Sequence, residues 1–184
     1  MNHSEPKNKD DIMKLSVKLK LFVLLCCFLS AGAQAATPPE FTGREYAEAM
    51  LLLNSDDFDT RLAAKSIRRV MAGRQNIVDL LAEVAWTGCV GKRKMDPDTL
   101  AWLAKALGTS KQARYAELLD YCQTQVSDPK ILKYIKESRD GLVGPTTPAF
   151  VGGKMDLAAL RAQLLTQSQN NSARPVAMGG GREG

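Results

Sequence analysis

"LAWLAKALGTSKQARYAELLDYC", residues 100–122, decides the fold of this chain. Leu100, Leu103 and Leu107 recur at helical spacing, and Gly108 follows them as a residue that commonly ends a helix. A second apolar stripe begins directly after the turn and comprises Tyr115, Leu118, Leu119, Cys122 and Val126. The stretch therefore predicts two short amphipathic helices joined by a tight turn, without the alternation that is typical of a β-strand.

Similar signals recur on both sides of this helix pair. Helix starts with an Asp N-cap are expected near Asp57, Asp96 and Asp128, which lie 39 and 32 residues apart. The motifs "LLAEVA" (80–85) and "LLDYCQ" (118–123) occupy equivalent second helices, 38 residues apart. Units of paired helices with this length bury their apolar faces against their neighbours. The sequence thus predicts an all-α fold, namely a short α-solenoid of antiparallel helical hairpins with about six helices plus a C-terminal helix.

Residues 96–142 resemble a HEAT-like helical repeat of the bacterial kind. The likeness rests on "LAKALG" (103–108) closing one helix, "ARYAELL" (113–119) opening the next and "KILKYIK" (130–136) beginning another unit. Residues 56–91 match the pattern loosely, and the unit lengths differ. The resemblance implies a curved helical scaffold that binds other macromolecules and has no activity of its own.

The first 35 residues have the order of a secretory signal peptide. Basic residues precede an apolar run at 21–29, and "AQA" (33–35) supplies a cleavage site flanked by small residues. A membrane anchor is the alternative, but a spanning helix needs about 20 apolar residues, and this run is shorter. Residues 1–35 are therefore assigned to a signal peptide, with Met13 as a candidate for the true start. Residues 36–42 form an extended lead-in, and the expected location is the periplasm.

The rest of the chain divides by composition. Residues 43–142 form the predicted helical-repeat domain, and residues 143–154 are a predicted linker because they are rich in Gly and Pro. Residues 155–167 predict one helix capped by Asp156. Residues 168–184 contain too few apolar residues to fold and predict a disordered tail. The C-terminal helix is either a cap over the end of the solenoid, which we prefer, or a tethered peptide for a partner.

Cys89 and Cys122 are the only cysteines outside the predicted signal peptide. An even pair in an oxidising compartment predicts a disulfide. Stacked repeats would bring the two helices that carry these residues side by side. The alternative is a pair of buried thiols, and neither interpretation gives a catalytic cysteine.

The chain carries 25 Lys and Arg against 20 Asp and Glu, a net charge of +5. Its basic residues fall in three groups: Arg61, Lys65, Arg68 and Arg69; Lys92, Arg93 and Lys94; and Lys130, Lys133, Lys136 and Arg139. They form either an ordinary solvated face or, if stacked repeats align them, a surface for an acidic protein or for anionic lipid headgroups. Nucleic acid is not an expected partner, because proteins that bind it concentrate their basic residues more strongly.

The only histidine is His3, which lies within the predicted signal peptide. The mature chain would therefore have no imidazole for general base catalysis or metal binding. Asp56, Asp57 and Asp59 lack the alternating ligands and the Gly of a calcium loop, and helix capping explains them. We expect no metal and no cofactor.

These observations favour an exported, non-enzymatic binding or scaffold module that mediates protein–protein interaction in the cell envelope. One alternative is a small envelope enzyme or enzyme subunit that uses Glu83, Glu117 or Asp120. Another is a short array that completes a larger solenoid by docking on a partner. A small-molecule substrate is not expected. Five aromatic residues are either core residues, which their helical spacing favours, or part of a peptide- or sugar-binding surface: Trp86, Trp102, Tyr115, Tyr121 and Tyr134.

Overall fold

The computed structural model describes residues 39–144 and 148–172. Seven α-helices occupy these residues: α1 Arg44–Leu53, α2 Asp57–Val70, α3 Gln75–Cys89, α4 Pro97–Thr109, α5 Ala116–Gln125, α6 Pro129–Asp140 and α7 Leu157–Ser172. A short 3₁₀ helix, Ala113–Tyr115, precedes α5. The described ranges contain no β-strand, only an isolated bridge between Gln112 and Val143. The all-α class predicted from the sequence is therefore confirmed.

Three helices begin at the Asp residues that the sequence singled out. The Asp56 side chain accepts from the backbone amide of Asp59, and the Asp96 side chain accepts from that of Thr99. Asp128 caps α6 by accepting from the amides of the second and third residues after it. Each cap satisfies donors that the first helical turn leaves free. Consequently α2, α4 and α6 start at well-defined positions.

The helices pack in an alternating pattern. The even-numbered helices form one series, in which α4 lies between α2 and α6 and packs against both. The odd-numbered helices form a second series, in which α3 packs against α1 and α5. Consecutive helices join the two series through the pairs α1 with α2, α3 with α4, and α5 with α6. The apolar side chains of each helix are thus buried against its neighbours in both series.

The α4–α6 pair makes the most extensive helix contact, and a glycine permits it. A Cβ at Gly108 would lie only 2.8 Å from Ser138 Cα and 2.9 Å from the Ser138 carbonyl oxygen. The backbones therefore meet where a side chain would not fit. Around this contact, Leu103, Leu107 and Ile135 are fully buried.

The C-terminal segment returns to the start of the odd-numbered series. α7 packs against α1, where the Tyr46 hydroxyl donates to the carbonyl of Leu164 at 2.8 Å. Leu160 and Leu164 are buried by this contact. The helix starts two residues later than the predicted range 155–167 and continues through Ser172, into the stretch predicted as a tail. In this structure α7 therefore covers part of α1.

The predicted signal peptide, Met13 and most of the predicted tail lie outside the described residues. Among the residues that are described, no helix has both the length and the apolar character needed to cross a membrane.

Candidate functional site

Four side chains alternate between cation and aromatic ring across α2, α4 and α6. The Lys65 ammonium of α2 lies 4.7 Å from the ring centroid of Trp102 on α4. The Lys105 ammonium lies 4.8 Å from the same centroid and 3.6 Å from that of Tyr134 on α6. We call Lys65, Trp102, Lys105 and Tyr134 the cation–aromatic ladder. Because ammonium groups are attracted to the faces of aromatic rings, the ladder links three helices and leaves positive charge at their surface.

An open cleft of about 230 Å³ adjoins this ladder and is called here the α2–α4–α6 cleft. Its charged and polar lining includes Arg68, Lys105, Lys111, Tyr134, Glu137 and Ser138. Three cations thus face one carboxylate, which makes the cleft electropositive. The Arg68 side chain is positioned by a hydrogen bond from its Nε to the Thr109 hydroxyl at 3.3 Å.

Two residues of this site were absent from the basic groups identified in the sequence. The sequence places Lys105 three residues after Trp102, so both lie on one face of the predicted amphipathic helix. Lys111 lies in the predicted turn after Gly108. It adopts a φ of 58°, a left-handed conformation that is uncommon for a residue with a side chain. No sequence signal for this conformation is present, since Gly or Asn would be the usual residue there.

Arg93, which the sequence assigned either to a solvated face or to a partner surface, instead binds backbone carbonyls within the fold. Its guanidinium donates to the carbonyl of Leu52 at 2.9 Å, to that of Asn54 and to the Thr60 hydroxyl at 2.6 Å. Burial lowers the pKa of Arg93 below its ordinary value, although Asp57 and Asp56 oppose this effect. Arg93 is therefore a structural residue that ties the end of α1 to α2.

Arg61 and Arg139 also make internal ion pairs. Arg61 pairs with Asp96 and donates to the Thr99 hydroxyl at 3.1 Å, so that it joins α2 to α4. Arg139 binds Asp120 through two hydrogen bonds of 2.8 and 3.1 Å and thereby joins α6 to α5. These hydrogen bonds raise the pKa of Arg139 above its ordinary value.

The remaining predicted basic residues are dispersed. Lys133 pairs with Glu137 at 3.8 Å, and the Lys92 ammonium lies 4.6 Å from the Trp86 ring centroid, on an odd-numbered helix. The others are exposed on α2, on the α3–α4 connection and on α6: Arg69, Lys94, Lys130 and Lys136. The structure therefore brings only Lys65 and Arg68 of the predicted set to the ladder and the cleft, and it does not align all eleven basic residues.

The predicted linker is not a free connection where the structure describes it. Residues 148–156, called here the strap, contact the 3₁₀ helix before α5 and then α3. The Phe150 amide donates to the Arg114 carbonyl at 2.9 Å, and its buried ring packs 5.7 Å from the Tyr115 ring. Gly152 and Gly153 then lie flat against the Trp86 indole, where a Cβ at either position would overlap the ring. The strap thus covers side chains of the odd-numbered helices before α7 reaches α1.

Glu83 is a buried carboxylate that binds the strap. Only 1% of its surface is exposed, and its Oε1 accepts from the Gly153 amide at 2.6 Å. Burial raises the pKa of Glu83 above its ordinary value, because it outweighs the backbone amides of Gly153, Lys154 and Met155 and the charge of Lys92. The carboxylate is covered by backbone and does not face an open cleft.

The other two carboxylates considered for catalysis lie on α5. Asp120 is bound to Arg139, as described above, and Glu117 is exposed on the first turn of the helix.

Nearby, Tyr115 is fully buried, with its hydroxyl donating to Asp79 at 2.8 Å and accepting from Gln75 at 2.8 Å. Burial and the Asp79 carboxylate raise the Tyr115 pKa well above its ordinary value. These hydrogen bonds link α3 to the 3₁₀ helix that precedes α5, next to the Phe150 ring.

The acidic residues at the start of α2 accept hydrogen bonds from nearby groups of the chain. Asp56 caps it, Asp57 accepts from the Asp96 amide at 3.2 Å, and Asp59 accepts from the Asn54 side chain at 2.6 Å. Across the part of the chain that the structure describes, no group of three or more His, Cys, Asp or Glu side chains is arranged to hold a metal ion.

Cys89 and Cys122 form a disulfide that joins the end of α3 to α5, with their Cα atoms 5.3 Å apart. Both residues are buried. The bond therefore reinforces the packing of the odd-numbered helices and closes a loop that contains the whole of α4.

Comparison of the chain with models of protein families, with curated proteins and with solved structures finds no match in any of the three.

Proposed function

We propose that this protein is an exported, non-enzymatic helical-repeat module that binds another protein in the cell envelope. The observation that carries the proposal is the alternating packing of the helices, with α2, α4 and α6 in one series and α1, α3 and α5 in the other. Two parallel series of helices are the arrangement of an α-solenoid, whose extended surfaces serve binding. A HEAT-like relationship is part of this proposal and rests on the motifs in residues 96–142.

The charged residues support binding in preference to catalysis. Glu83 is buried under the strap and engaged by the Gly153 amide, and Asp120 is engaged by Arg139. A catalytic carboxylate needs access to a reacting atom, which the buried Glu83 lacks, and the exposed Asp120 is paired with Arg139. The cation–aromatic ladder and its cleft are open, so they offer a surface for a partner.

The two series of helices differ in how much of their surface is free. α7 lies on α1, and the strap lies on α3 and on the 3₁₀ helix that precedes α5. The outward face of α2, α4 and α6 carries exposed or half-buried side chains at helical spacing, among them Asp98, Trp102 and Lys105 on α4. We therefore assign the binding surface to the even-numbered helices.

Site-specific crosslinking in intact cells tests this assignment. A photoreactive residue in place of Asp98 would sit on the outward face of α4, and the matched control would replace the exposed Glu117 on α5. We expect one recurrent protein adduct from position 98 and little or none from position 117. Equal capture from both positions, or capture from neither, would contradict the proposed binding surface.

The export proposal has a separate test. A secretory signal at residues 1–35 and a disulfide between Cys89 and Cys122 both fit an oxidising compartment. Trapping of free thiols in fractionated cells should show the two cysteines oxidised and the protein in the periplasmic fraction. Reduced cysteines in a cytoplasmic protein would overturn export but would leave the helix packing and the binding surface intact.

A further inference from the structure

The α2–α4–α6 cleft combines uncompensated positive charge with aromatic surface. Lys105 is shared between the ladder and the cleft, and Tyr134 forms one wall. The ion pairs within the described residues involve other cations and leave out Arg68, Lys105 and Lys111. The single carboxylate of the cleft, Glu137, is already paired with Lys133 at 3.8 Å. The cleft therefore retains net positive charge.

Lys111 is placed at this cleft by an unusual backbone conformation. Its φ of 58° is the only positive value of a non-glycine residue in the described ranges. Two backbone hydrogen bonds pair this segment with Val143. The Lys111 carbonyl accepts from the Val143 amide at 3.3 Å, and the Val143 carbonyl accepts from the Ala113 amide at 3.2 Å. The left-handed region is unfavourable for a residue with a side chain, and strain of this kind clusters at functional sites.

We propose that this cleft binds a carboxylate side chain of an acidic protein segment, with apolar residues of the same segment packing beside Tyr134. Arg68, Lys105 and Lys111 would surround the carboxylate. Charge-assisted hydrogen bonds to such cations are stronger than neutral ones, and the half-buried rings lower the local dielectric constant. The inference rests on the proposed function and specifies the chemistry of the partner.

The neighbouring surface favours a protein segment over an anionic membrane. Phe58 and Leu62 are 66% and 47% exposed, and they share the outward face of α2 with Lys65. If this face bound a membrane, Phe58 and Leu62 are the apolar side chains that would insert into it. The starts of α2 and α4 carry four exposed or half-buried acidic residues: Asp56, Asp57, Asp59 and Asp98. An anionic lipid surface would repel these acidic residues, whereas a protein segment can match apolar and cationic regions separately.

Peptide binding to the purified protein tests the inference. The probe is a fluorescein-labelled peptide of alternating Glu, Phe and Leu, with a second peptide in which Lys replaces Glu, and binding is followed by fluorescence anisotropy over a salt series. The key variant is Lys105→Gln, which keeps an aliphatic stem over the rings. The matched control is Lys136→Gln, an exposed position on α6 outside the cleft. Thermal unfolding establishes that both variants are folded.

We expect the acidic peptide to bind, with Lys105→Gln weakening it about five- to tenfold at low salt and Lys136→Gln having little effect. Equal weakening by both variants would show attraction to net charge alone and would overturn the inference. So would binding of phosphatidylglycerol vesicles without binding of the acidic peptide. If neither peptide binds while position 98 still crosslinks to a protein in cells, the binding surface stands and the acidic-partner inference fails.

Discussion

At the scale of single residues, Glu83 shows that the partner of a buried charged side chain can lie far away along the chain. Its partner, the Gly153 amide, lies 70 residues away along the chain. Local periodicity places Glu83 within a buried helix, but it carries no information about a distant backbone donor. The same limit applies to Arg93, whose three partners lie 33 to 41 residues away. Sequence reasoning could name these charged residues but could not assign their roles.

The raised pKa of Glu83 predicts a pH dependence of stability. A carboxyl whose pKa is higher in the folded chain holds its proton more tightly there. Its stabilising contribution is therefore complete below the ordinary pKa of 4.5 and is lost as the pH rises through the folded-state value. We compare the free energy of unfolding of the wild type with that of Glu83→Gln. We expect the wild-type value to fall relative to the variant as the pH rises above 4.5, by at most about 1.4 kcal/mol per pH unit.

Denaturant unfolding at a series of pH values measures this difference. The Gln variant is the reference, because it keeps an acceptor for the Gly153 amide but cannot titrate. A difference between the two proteins that does not change with pH would show that burial of Glu83 does not perturb its protonation.

The buried hydroxyl of Tyr115 gives a second prediction at this scale. Tyr115→Phe removes a donor to Asp79 and an acceptor for Gln75, so both groups lose a partner inside the fold. We expect a loss of about 1–3 kcal/mol in the free energy of unfolding. Tyr121→Phe, at an exposed tyrosine on α5, is the matched control and should change stability by less than about 0.5 kcal/mol. Similar losses in the two variants would argue against a special role for the buried group.

At the scale of helices, sequence reasoning succeeded where signals are local and failed where they are not. The caps at Asp56, Asp96 and Asp128 were predictable because a cap depends on residues within one helical turn. The strap was not, because Gly and Pro in residues 143–154 look the same in a free linker and in a segment pressed against an indole ring. Gly152 and Gly153 are required because a Cβ at either position would overlap the Trp86 ring. The composition of the segment does not reveal this steric requirement.

Gly108 tests the closest helix contact. Gly108→Ala places a Cβ 2.8 Å from Ser138 Cα, so α4 and α6 must move apart. We expect destabilisation by about 1–3 kcal/mol, because the atoms in contact are mostly backbone and cannot turn away. The matched control is Gly73→Ala, where no atom lies within 4 Å of the added methyl group. Thermal and denaturant unfolding measure the stability of both variants. An unchanged free energy of unfolding in Gly108→Ala would contradict the close approach of α4 and α6.

The strap can be tested in the same way. Phe150→Ala removes a buried ring from Tyr115 and should destabilise the protein by about 3 kcal/mol or release the strap locally. Hydrogen exchange at the Gly153 amide reports release, since that amide is bonded to Glu83. Val151→Ala is the control, at a side chain that is 57% exposed. Equally fast exchange of Gly153 in both variants would mean that Phe150 does not anchor the strap.

At the scale of the whole molecule, the all-α class followed from helical periodicity repeated along the chain. The same periodicity could not decide whether the eleven basic residues form an ordinary solvated face or align on one surface. Which side of a helix faces a neighbour depends on its rotation, and small errors in register redistribute charged residues between faces. In the structure, Arg61, Arg93 and Arg139 are used between helices. Lys105, which belongs to the ladder, lies in a mostly apolar stretch of the sequence and was not among the predicted basic residues.

The disulfide connects distant parts of the molecule and gives the last prediction. Cys89 and Cys122 are separated by 33 residues, and closing a loop of that length restricts the unfolded chain. Reduction should therefore lower the free energy of unfolding by roughly 3–4 kcal/mol. The control is the double variant Cys89→Ser with Cys122→Ser, whose stability should be low from the outset and insensitive to reductant. Denaturant unfolding with and without dithiothreitol measures both proteins. If reductant leaves the wild type unchanged, or weakens the double variant as well, the bond does not stabilise the fold by closing this loop.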